Sequence, residues 1–348
     1  MKYLIFLFLF VMINICSHAD WMSDQIHEDL SPFKEQGIKK SALKAVMQKT
    51  PATSLFVYIS IRKNTVSFTF DSPTVDAQAK PRLLAIQEFF QSLVKTRSLP
   101  DVDFLISLHD SFDEELPVPL FVFAKNASIK SSILMPDFEA LSHQKSLLKH
   151  CSQYAKDYPW QKKRDVVFWR GSTTGGIYGM DNYLQFPRVK LVALSSAHPD
   201  WLDAGFTNLC QAPPEVLQYV LEKTRPLCPH LSMKDHFAYK YLIDIDGNSC
   251  TYSRCRWILL SNSTLLKPAS PNIQWYYKAL IPYVHYVPLK EDLSDLSIIY
   301  SWLKNHESKA RAIAEQGRKL GESLFSKEGI ENYIVALLHE YSLIQKNN

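Results

Sequence analysis

The sequence is poor in glycine, in excess charge and in long apolar runs, and these shortages exclude several classes of protein. Lys and Arg number 39 against 35 Asp and Glu, for a net charge of +4, and the longest basic run is residues 162–164. A dedicated nucleic-acid binder carries a denser basic stripe, so we expect no nucleic-acid partner. No apolar run of about 18 residues follows the N-terminal segment, so no internal transmembrane helix is expected.

Several short functional motifs are also absent. The sequence contains no Gly-x-x-x-x-Gly-Lys, no Gly-x-Gly-x-x-Gly, no Gly-x-Ser-x-Gly and no Cys-x-x-Cys. These absences argue against a P-loop nucleotidase, a dinucleotide-binding enzyme of the usual type, a hydrolase with a nucleophile elbow, and a zinc finger. What remains is a chain of 348 residues, 46% hydrophobic and 21% charged, which is typical of a globular protein of about two domains.

The N-terminus has the features of a targeting segment. Lys2 precedes the uncharged apolar run 3–16, and Ala19 offers a small residue for cleavage. This pattern predicts a signal peptide over residues 1–19, or else a short N-terminal anchor. It indicates a secretory or extracytoplasmic location. The alternative is a membrane-anchored protein whose catalytic part lies on the side that contains its donor.

Five cysteines remain after such a cleavage, and five is an odd number. They are Cys151, Cys210, Cys228, Cys250 and Cys255. Cys210 and Cys228 flank a proline-rich loop, and we predict that these two form a disulfide in an oxidising compartment.

Short apolar runs alternate with stretches of helical periodicity, which predicts an α/β fold. The predicted strands are 55–61, 66–70, 104–108, 120–123, 166–169, 241–245, 264–266 and 284–287. We predict a first α/β lobe over 20–160, a second over 161–320, and a C-terminal helix over 321–348 that crosses back to the first lobe. Two such lobes would face each other across a cleft, where ligands of α/β sheets bind.

The few glycines are concentrated in one segment. Four of the ten in the chain are Gly171, Gly175, Gly176 and Gly179, which follow the predicted strand 166–169. A glycine-rich turn lets backbone N–H groups approach an anion closely, and Ser172 adds a hydroxyl. The alternative is an ordinary flexible surface turn.

A second polar turn follows the predicted strand 241–245. Gly247 and Asn248 begin this turn, and Arg254 ends it. Arginine offers a permanent charge and a planar fork suited to phosphate oxygens, and Arg188 could add a second contact. Alternatively, Arg254 is a solvated helix residue and Gly247-Asn248 an ordinary turn.

Asp110 follows the predicted strand 104–108 at the edge of the expected cleft. An ionised carboxylate there can accept a proton from a hydroxyl group held against it. Most aspartates at strand ends, however, form turns or caps.

Taken together, these segments resemble glycosyltransferase family 90, which includes protein O-glucosyltransferases, capsule-associated xylosyltransferases and lipopolysaccharide-modifying enzymes. The matching stretches are PDVDFLISLHD (100–110), PWQKKRDVVFWRGSTTGG (159–176), WLDAGFT (201–207), KYLIDIDGNSCTYSR (240–254) and ALIPYVHYVPLKEDLSDL (279–296). The resemblance implies a GT-B fold with two Rossmann-like lobes, an inverting reaction without a metal or other cofactor, and a UDP-sugar donor. It implies glucose or xylose as the transferred sugar, and a glycan, a lipopolysaccharide or a Ser/Thr side chain as the acceptor.

The resemblance also assigns residues to the reaction. Asp110 falls where the family has its catalytic base, Ser172 and Arg188 where it contacts uridine diphosphate, and Arg254 near its diphosphate arginine. The full set that we expect to bind the donor is Arg170, Gly171, Ser172, Arg188, Asp203, Gly247, Asn248, Ser249, Thr251 and Arg254. Ser253 separates Tyr252 from Arg254, whereas many family members place the arginine directly after the aromatic residue, so Arg256 is the alternative if the register is shifted.

Two further interpretations remain open from the sequence. The pairs Asp101-x-Asp103 and Asp244-x-Asp246 have the D-x-D form of metal-dependent glycosyltransferases, because carboxylates suit Mg²⁺ or Mn²⁺. The other alternative is a non-catalytic sugar-binding protein on the same fold.

Overall fold

A computed structural model describes residues 21–49, 55–70 and 79–346. The strands are β1 Ile38–Lys39, β2 Phe56–Arg62, β3 Thr65–Phe70, β4 Val102–Ser107, β5 Leu120–Val122, β6 Lys125–Asn126, β7 Ser132–Leu134, β8 Arg164–Ser172, β9 Leu202–Asn208, β10 Tyr239–Ile243, β11 Thr264–Pro268, β12 Asn272–Ile273, β13 Val287–Leu289 and β14 Gln345–Lys346. The α-helices are α1 Trp21–Leu30, α2 Lys40–Lys49, α3 Ala79–Thr96, α4 Phe138–Asp157, α5 Pro187–Ala197, α6 Pro214–Lys223, α7 Met233–His236, α8 Tyr252–Leu260, α9 Leu296–Asn305, α10 Glu307–Leu324 and α11 Lys327–Ile344.

Two five-stranded sheets organise the chain. The first sheet has the order β3-β2-β4-β5-β7, in which β2 runs antiparallel to both of its neighbours and β4, β5 and β7 are parallel. The second sheet has the order β13-β11-β10-β8-β9 and is entirely parallel. The predicted α/β fold with two sheet-based lobes is therefore confirmed.

The central strands of both sheets consist of residues that favour strands and are almost completely buried. Every residue of β4 and every residue of β10 is buried. Parallel strands covered by helices on both faces have this apolar composition. Polar side chains accordingly occur mainly just beyond the carboxyl ends of the strands, where a ligand can reach them.

Three contacts join the regions built on the two sheets. Strand β6 pairs with β12 in a short antiparallel ribbon. Helix α11 follows the second sheet along the chain and packs against the first, because Tyr341 lies 5.3 Å from Phe121 between ring centroids and the Tyr333 hydroxyl donates to the Leu134 carbonyl at 3.2 Å. Arg256 of α8 pairs with Asp137, the residue that caps α4.

The predicted disulfide between Cys210 and Cys228 is wrong. All five cysteines of the described part of the chain are free thiols. The Cys210 backbone N–H donates to the Thr173 hydroxyl at 2.7 Å, whereas Cys228 packs against Gly205 of β9. The two residues are thus fixed by different neighbours, and flanking the same loop does not bring them together.

Two other expectations concern the ends of the chain and its longer helices. The signal peptide predicted over 1–19 lies outside the described residues. Among the described residues, no helix has both the length and the apolar composition needed to cross a membrane.

Candidate active site

Asp110 lies just beyond β4 and is held in place by an arginine from α3. Arg82 donates one bond to Asp110 Oδ1 and another to the Leu108 carbonyl, both at 2.6 Å. The Arg82 side chain is 16% exposed and its guanidinium lies 4.9 Å from the centre of the Phe138 ring, while Asp110 is 44% exposed. A largely buried arginine therefore orients a carboxylate that is open to a ligand.

Asp110 opens into a cavity of about 370 Å³ to which both sheets contribute. This cavity, here called the base cavity, is lined by Leu55, Ala79, Arg82, Leu108, His109, Asp110, Ser111 and Asn248. Only Asn248 comes from the region of the second sheet. The polar turn after β10 therefore reaches the carboxylate across the boundary between the two sheets.

Tyr252 makes a second connection between Asp110 and the second sheet. Its hydroxyl donates to the backbone carbonyl of Asp110. Burial, reinforced by the nearby charge of Asp110, raises the pKa of Tyr252 well above its ordinary value, so the hydroxyl keeps its proton and remains a donor. This bond fixes the backbone of Asp110 relative to the first turn of α8.

A second cavity of about 290 Å³, here called the arginine cavity, lies at the second sheet. It is lined by Arg170, Gly171, Ser172, Thr174, Arg188, Thr207, His230, Leu231, His236 and Arg254. Three arginines in a small cleft make it strongly electropositive, as an anion-binding site requires.

Arg254 lies in the first turn of α8 and lines this cavity. Its guanidinium donates to the Arg170 carbonyl at 2.7 Å and lies 5.8 Å from the ring centres of both Trp169 and Trp257. Burial and the neighbouring Arg188 lower the pKa of Arg254 to about 10, which still leaves it charged at neutral pH. The helix N-terminus adds backbone N–H groups and a partial positive charge at the same place.

Arg256, the alternative in a shifted register, points elsewhere. It is 1% exposed and donates to Asp137 Oδ1 at 3.1 Å and to Glu139 at 3.3 Å. Arg256 thus ties α8 to α4, and Arg254 is the arginine of this pair that lines the cavity.

Arg188 is buried and acts mainly on the backbone. It donates to the carbonyl oxygens of Ser172 at 2.9 Å, Asp246 at 2.8 Å and Ile245 at 3.2 Å, and to the Thr174 hydroxyl at 2.5 Å. Four bonds occupy most of its five N–H donors. Arg188 therefore clamps the turn after β8 to the turn after β10 and gives the cavity its charge from beneath.

Two glycines allow those turns to approach each other. A Cβ on Gly247 would lie 2.6 Å from the Thr174 hydroxyl and 2.8 Å from Arg188. Gly175 has a φ of +117°, which side chains rarely adopt, and its N–H donates to Asn248 Oδ1 at 3.0 Å. The bond to Gly175 orients the Asn248 side chain at the edge of the base cavity.

Four of the predicted donor-binding residues have other partners in the structure. Arg170 forms two bonds with Asp203, at 2.8 and 2.9 Å, so these two charges largely satisfy each other. The Ser249 side chain is buried, and the Thr251 hydroxyl donates to Asp244. Asp203, Ser249 and Thr251 do not line either cavity, whereas Arg170, Gly171, Ser172, Arg188 and Arg254 line the arginine cavity.

The two D-x-D pairs are engaged with cations and backbone. Lys267 lies 2.9 Å from Asp244 and 3.9 Å from Asp246, and although burial opposes its charge, the two carboxylates raise the pKa of Lys267 above its ordinary value. In the other pair, Asp103 binds Arg62 and Asp101 accepts from the Lys63 N–H at 2.7 Å. Among the described residues, no cluster of three or more His, Cys, Asp or Glu side chains is arranged to hold a metal ion.

Sequence reasoning missed Arg82, Tyr252 and His236 as site residues. Arg82 is 28 residues from Asp110 in the chain and belongs to a different element, so no local pattern connects them. Tyr252 could have been found, because it stands in the first turn of the helix that also carries Arg254. His236 precedes β10 in a polar segment without any recognisable motif.

Comparison with known proteins points to one family. A family model described as glycosyl transferase family 90 matches residues 16–348. Protein O-glucosyltransferase 2 of Danio rerio is 27% identical over 342 residues, covering 94% of this chain and 63% of that protein. Protein O-glucosyltransferase 3 of Homo sapiens is 28% identical over 272 residues, covering 73% of this chain and 49% of that protein. The chain thus spans about half to two thirds of the length of these relatives.

Solved structures give a weaker match. A glycosyltransferase from Rickettsia africae aligns with a TM-score of 0.38 and 11% identity, covering 78% of this chain and 83% of the other. At that score the likeness carries no argument, and the fold description depends on the two sheets of the chain itself.

Proposed function

Since the chain belongs to glycosyl transferase family 90, we propose that it transfers glucose or xylose from a UDP-sugar to a hydroxyl group, with a Ser or Thr side chain of a protein as the preferred acceptor. The observation that carries the proposal is the base cavity, where Asp110 of one sheet and Asn248 of the other line a single space. The names of the curated relatives favour a protein acceptor. A glycan or lipopolysaccharide hydroxyl is the alternative acceptor.

Asp110 is the proposed general base. Arg82 holds its Oδ1, so the other oxygen, Oδ2, accepts the proton of the acceptor hydroxyl as that oxygen bonds to the anomeric carbon. At the same time the bond from the anomeric carbon to the diphosphate oxygen breaks, and the electron pair leaves with UDP. A single displacement with the base and the leaving group on opposite faces inverts the anomeric configuration.

The arginine cavity is the proposed site of the leaving diphosphate. Negative charge grows on the diphosphate as the bond breaks, and a preorganised donor beside it stabilises the transition state more than the ground state. Arg254, the N-terminus of α8 and the Ser172 hydroxyl supply such donors. Arg188 adds charge from below while it holds the two turns together.

We propose that these groups replace a divalent cation. The support is chemical, because Lys267 already neutralises the Asp244-x-Asp246 pair that a metal-dependent mechanism would use. Turnover is therefore expected to survive an excess of chelator. Activity that disappears with chelator and returns with Mn²⁺ would favour the D-x-D alternative.

The test is a panel of nucleotide sugars with hydroxyl acceptors. UDP-glucose and UDP-xylose should be consumed faster than GDP- and ADP-sugars, and NMR of the product should give an anomeric configuration opposite to that of the donor. Asp110→Asn should abolish transfer but keep UDP binding, and Asp113→Asn, which changes an exposed carboxylate three residues away, is the matched control. A protein that binds UDP-sugars without transferring them under any condition is the non-catalytic alternative.

The secretory location also stays a proposal. It depends on the signal peptide predicted over 1–19, and it can be tested by determining the N-terminal residue of the mature protein. A mature chain that begins near residue 20 would support it, and a retained Met1 would favour the anchor.

A further inference from the structure

His236 is the last residue of α7 and lines the arginine cavity, although no motif marks it. Its side chain is almost completely enclosed, since the residue is only 6% exposed. Its Nδ1 lies 2.9 Å from the Ser232 carbonyl oxygen. A carbonyl oxygen can only accept, so Nδ1 carries the hydrogen and donates it.

The other ring nitrogen, Nε2, is therefore a hydrogen-bond acceptor in the neutral ring. It is buried, and no polar atom among the described residues forms a hydrogen bond with it. Burial, together with the charges of Arg254 and Arg170, lowers the pKa of His236 to about 4, which keeps the ring neutral at physiological pH. Phe168 and Trp257 pack against the ring at 5.2 and 5.1 Å between centroids, so its orientation is fixed.

An acceptor in this cavity does not suit a phosphate. Phosphate oxygens are themselves acceptors, and the arginines around His236 already provide donors for them. An unpaired buried acceptor costs free energy that a ligand donor group can recover. The group that fits Nε2 is therefore a hydroxyl or an N–H.

The position of His236 indicates which half of the donor supplies that group. The transferred sugar has to lie in the base cavity beside Asp110, to which Asn248 but not His236 contributes. His236 lines only the arginine cavity, where the diphosphate is expected. The part of the donor beyond the diphosphate is the nucleoside.

We propose that His236 accepts a hydrogen bond through Nε2 from the nucleoside half of the donor, either from a ribose hydroxyl or from the uracil N–H, and so contributes to nucleotide specificity. This inference rests on the proposed function, because it takes the donor to be a UDP-sugar. It assigns to His236 a contact that the diphosphate site alone does not need.

The experiment measures binding by calorimetry on the full chain. The probes are UDP, 2′-deoxy-UDP, 3′-deoxy-UDP, N3-methyl-UDP and inorganic pyrophosphate. The variants are His236→Phe, which keeps the ring but removes the acceptor, and His236→Gln, which restores an acceptor near Nε2. His198→Phe is the matched control, because His198 is exposed and lies outside both cavities.

His236→Phe should weaken UDP binding about tenfold and leave pyrophosphate binding unchanged, while His236→Gln recovers part of the loss. One of the three analogues should bind the wild type about tenfold more weakly than UDP and show no such difference in His236→Phe, which identifies the donor group. Equal UDP affinity in the wild type and His236→Phe would overturn the inference alone. A parallel loss of pyrophosphate binding would also overturn it, since the effect would then be structural. A wild type that binds pyrophosphate but not UDP would overturn the proposed function and the inference with it.

Discussion

Arg254→Ala is the substitution that tests the anion site most directly. Arg254 is the guanidinium in the first turn of α8, and one of its N–H groups is already used by the Arg170 carbonyl. Its remaining donors are available to the cavity that it lines. Its pKa of about 10 means that the charge is present throughout the neutral pH range.

The expected magnitude follows from the kind of contact that is lost. Removing one preorganised donor from a developing anion typically costs about 10²-fold in kcat, which corresponds to about 2.7 kcal/mol of transition-state stabilisation. Ground-state affinity for UDP should fall less, by about tenfold. Arg254→Lys should recover only part of kcat, because an ammonium restores the charge but not the planar fork.

The assay compares initial rates and UDP affinity of the variants with those of Arg225→Ala. Arg225 is the matched control, since it pairs with Asp203 at 3.1 Å on the same sheet and does not line the cavity. Normal kcat in a well-folded Arg254→Ala protein would refute the reasoning. Arg256→Ala is not a neutral control, because it leaves Asp137 with a broken buried pair and should lower the free energy of unfolding by about 3–5 kcal/mol.

Three further outcomes follow from the contacts of single residues. Asp110→Asn should lower kcat by about 10²-fold or more with UDP affinity nearly intact, and normal turnover would remove Asp110 from the mechanism. Arg82→Met should lower kcat about tenfold without changing the KM for the donor, because it releases the base but not the arginine cavity; a change in KM alone would contradict the positioning role. Because the pKa of His236 is about 4 in the folded state and 6.5 ordinarily, the unfolded chain takes up this proton first as pH falls. The free energy of unfolding should therefore drop between about pH 6.5 and pH 4, by up to about 3 kcal/mol, and drop less in His236→Phe.

The sequence by itself determined the α/β class and the family. Buried strands such as β4 and β10 are short apolar runs followed by polar residues, and that pattern is local. The glycine-rich turn after β8 and the residues around Asn248 are likewise local, because glycine is needed wherever a Cβ would collide with a neighbouring turn. Motifs of this kind made the family resemblance readable over most of the chain.

The tertiary structure decided which side chains face the cavities. Arg254 and Arg256 are two residues apart on one helix, and a rotation of about 200° between such positions sends one to the cavity and the other to Asp137. No spacing rule gives that direction without the position of α4. The free thiols of Cys210 and Cys228 have the same cause, since proximity in the chain does not fix proximity in space. The contact between Arg82 and Asp110 joins a helix to a strand end, and only the packing of α3 on the first sheet creates it.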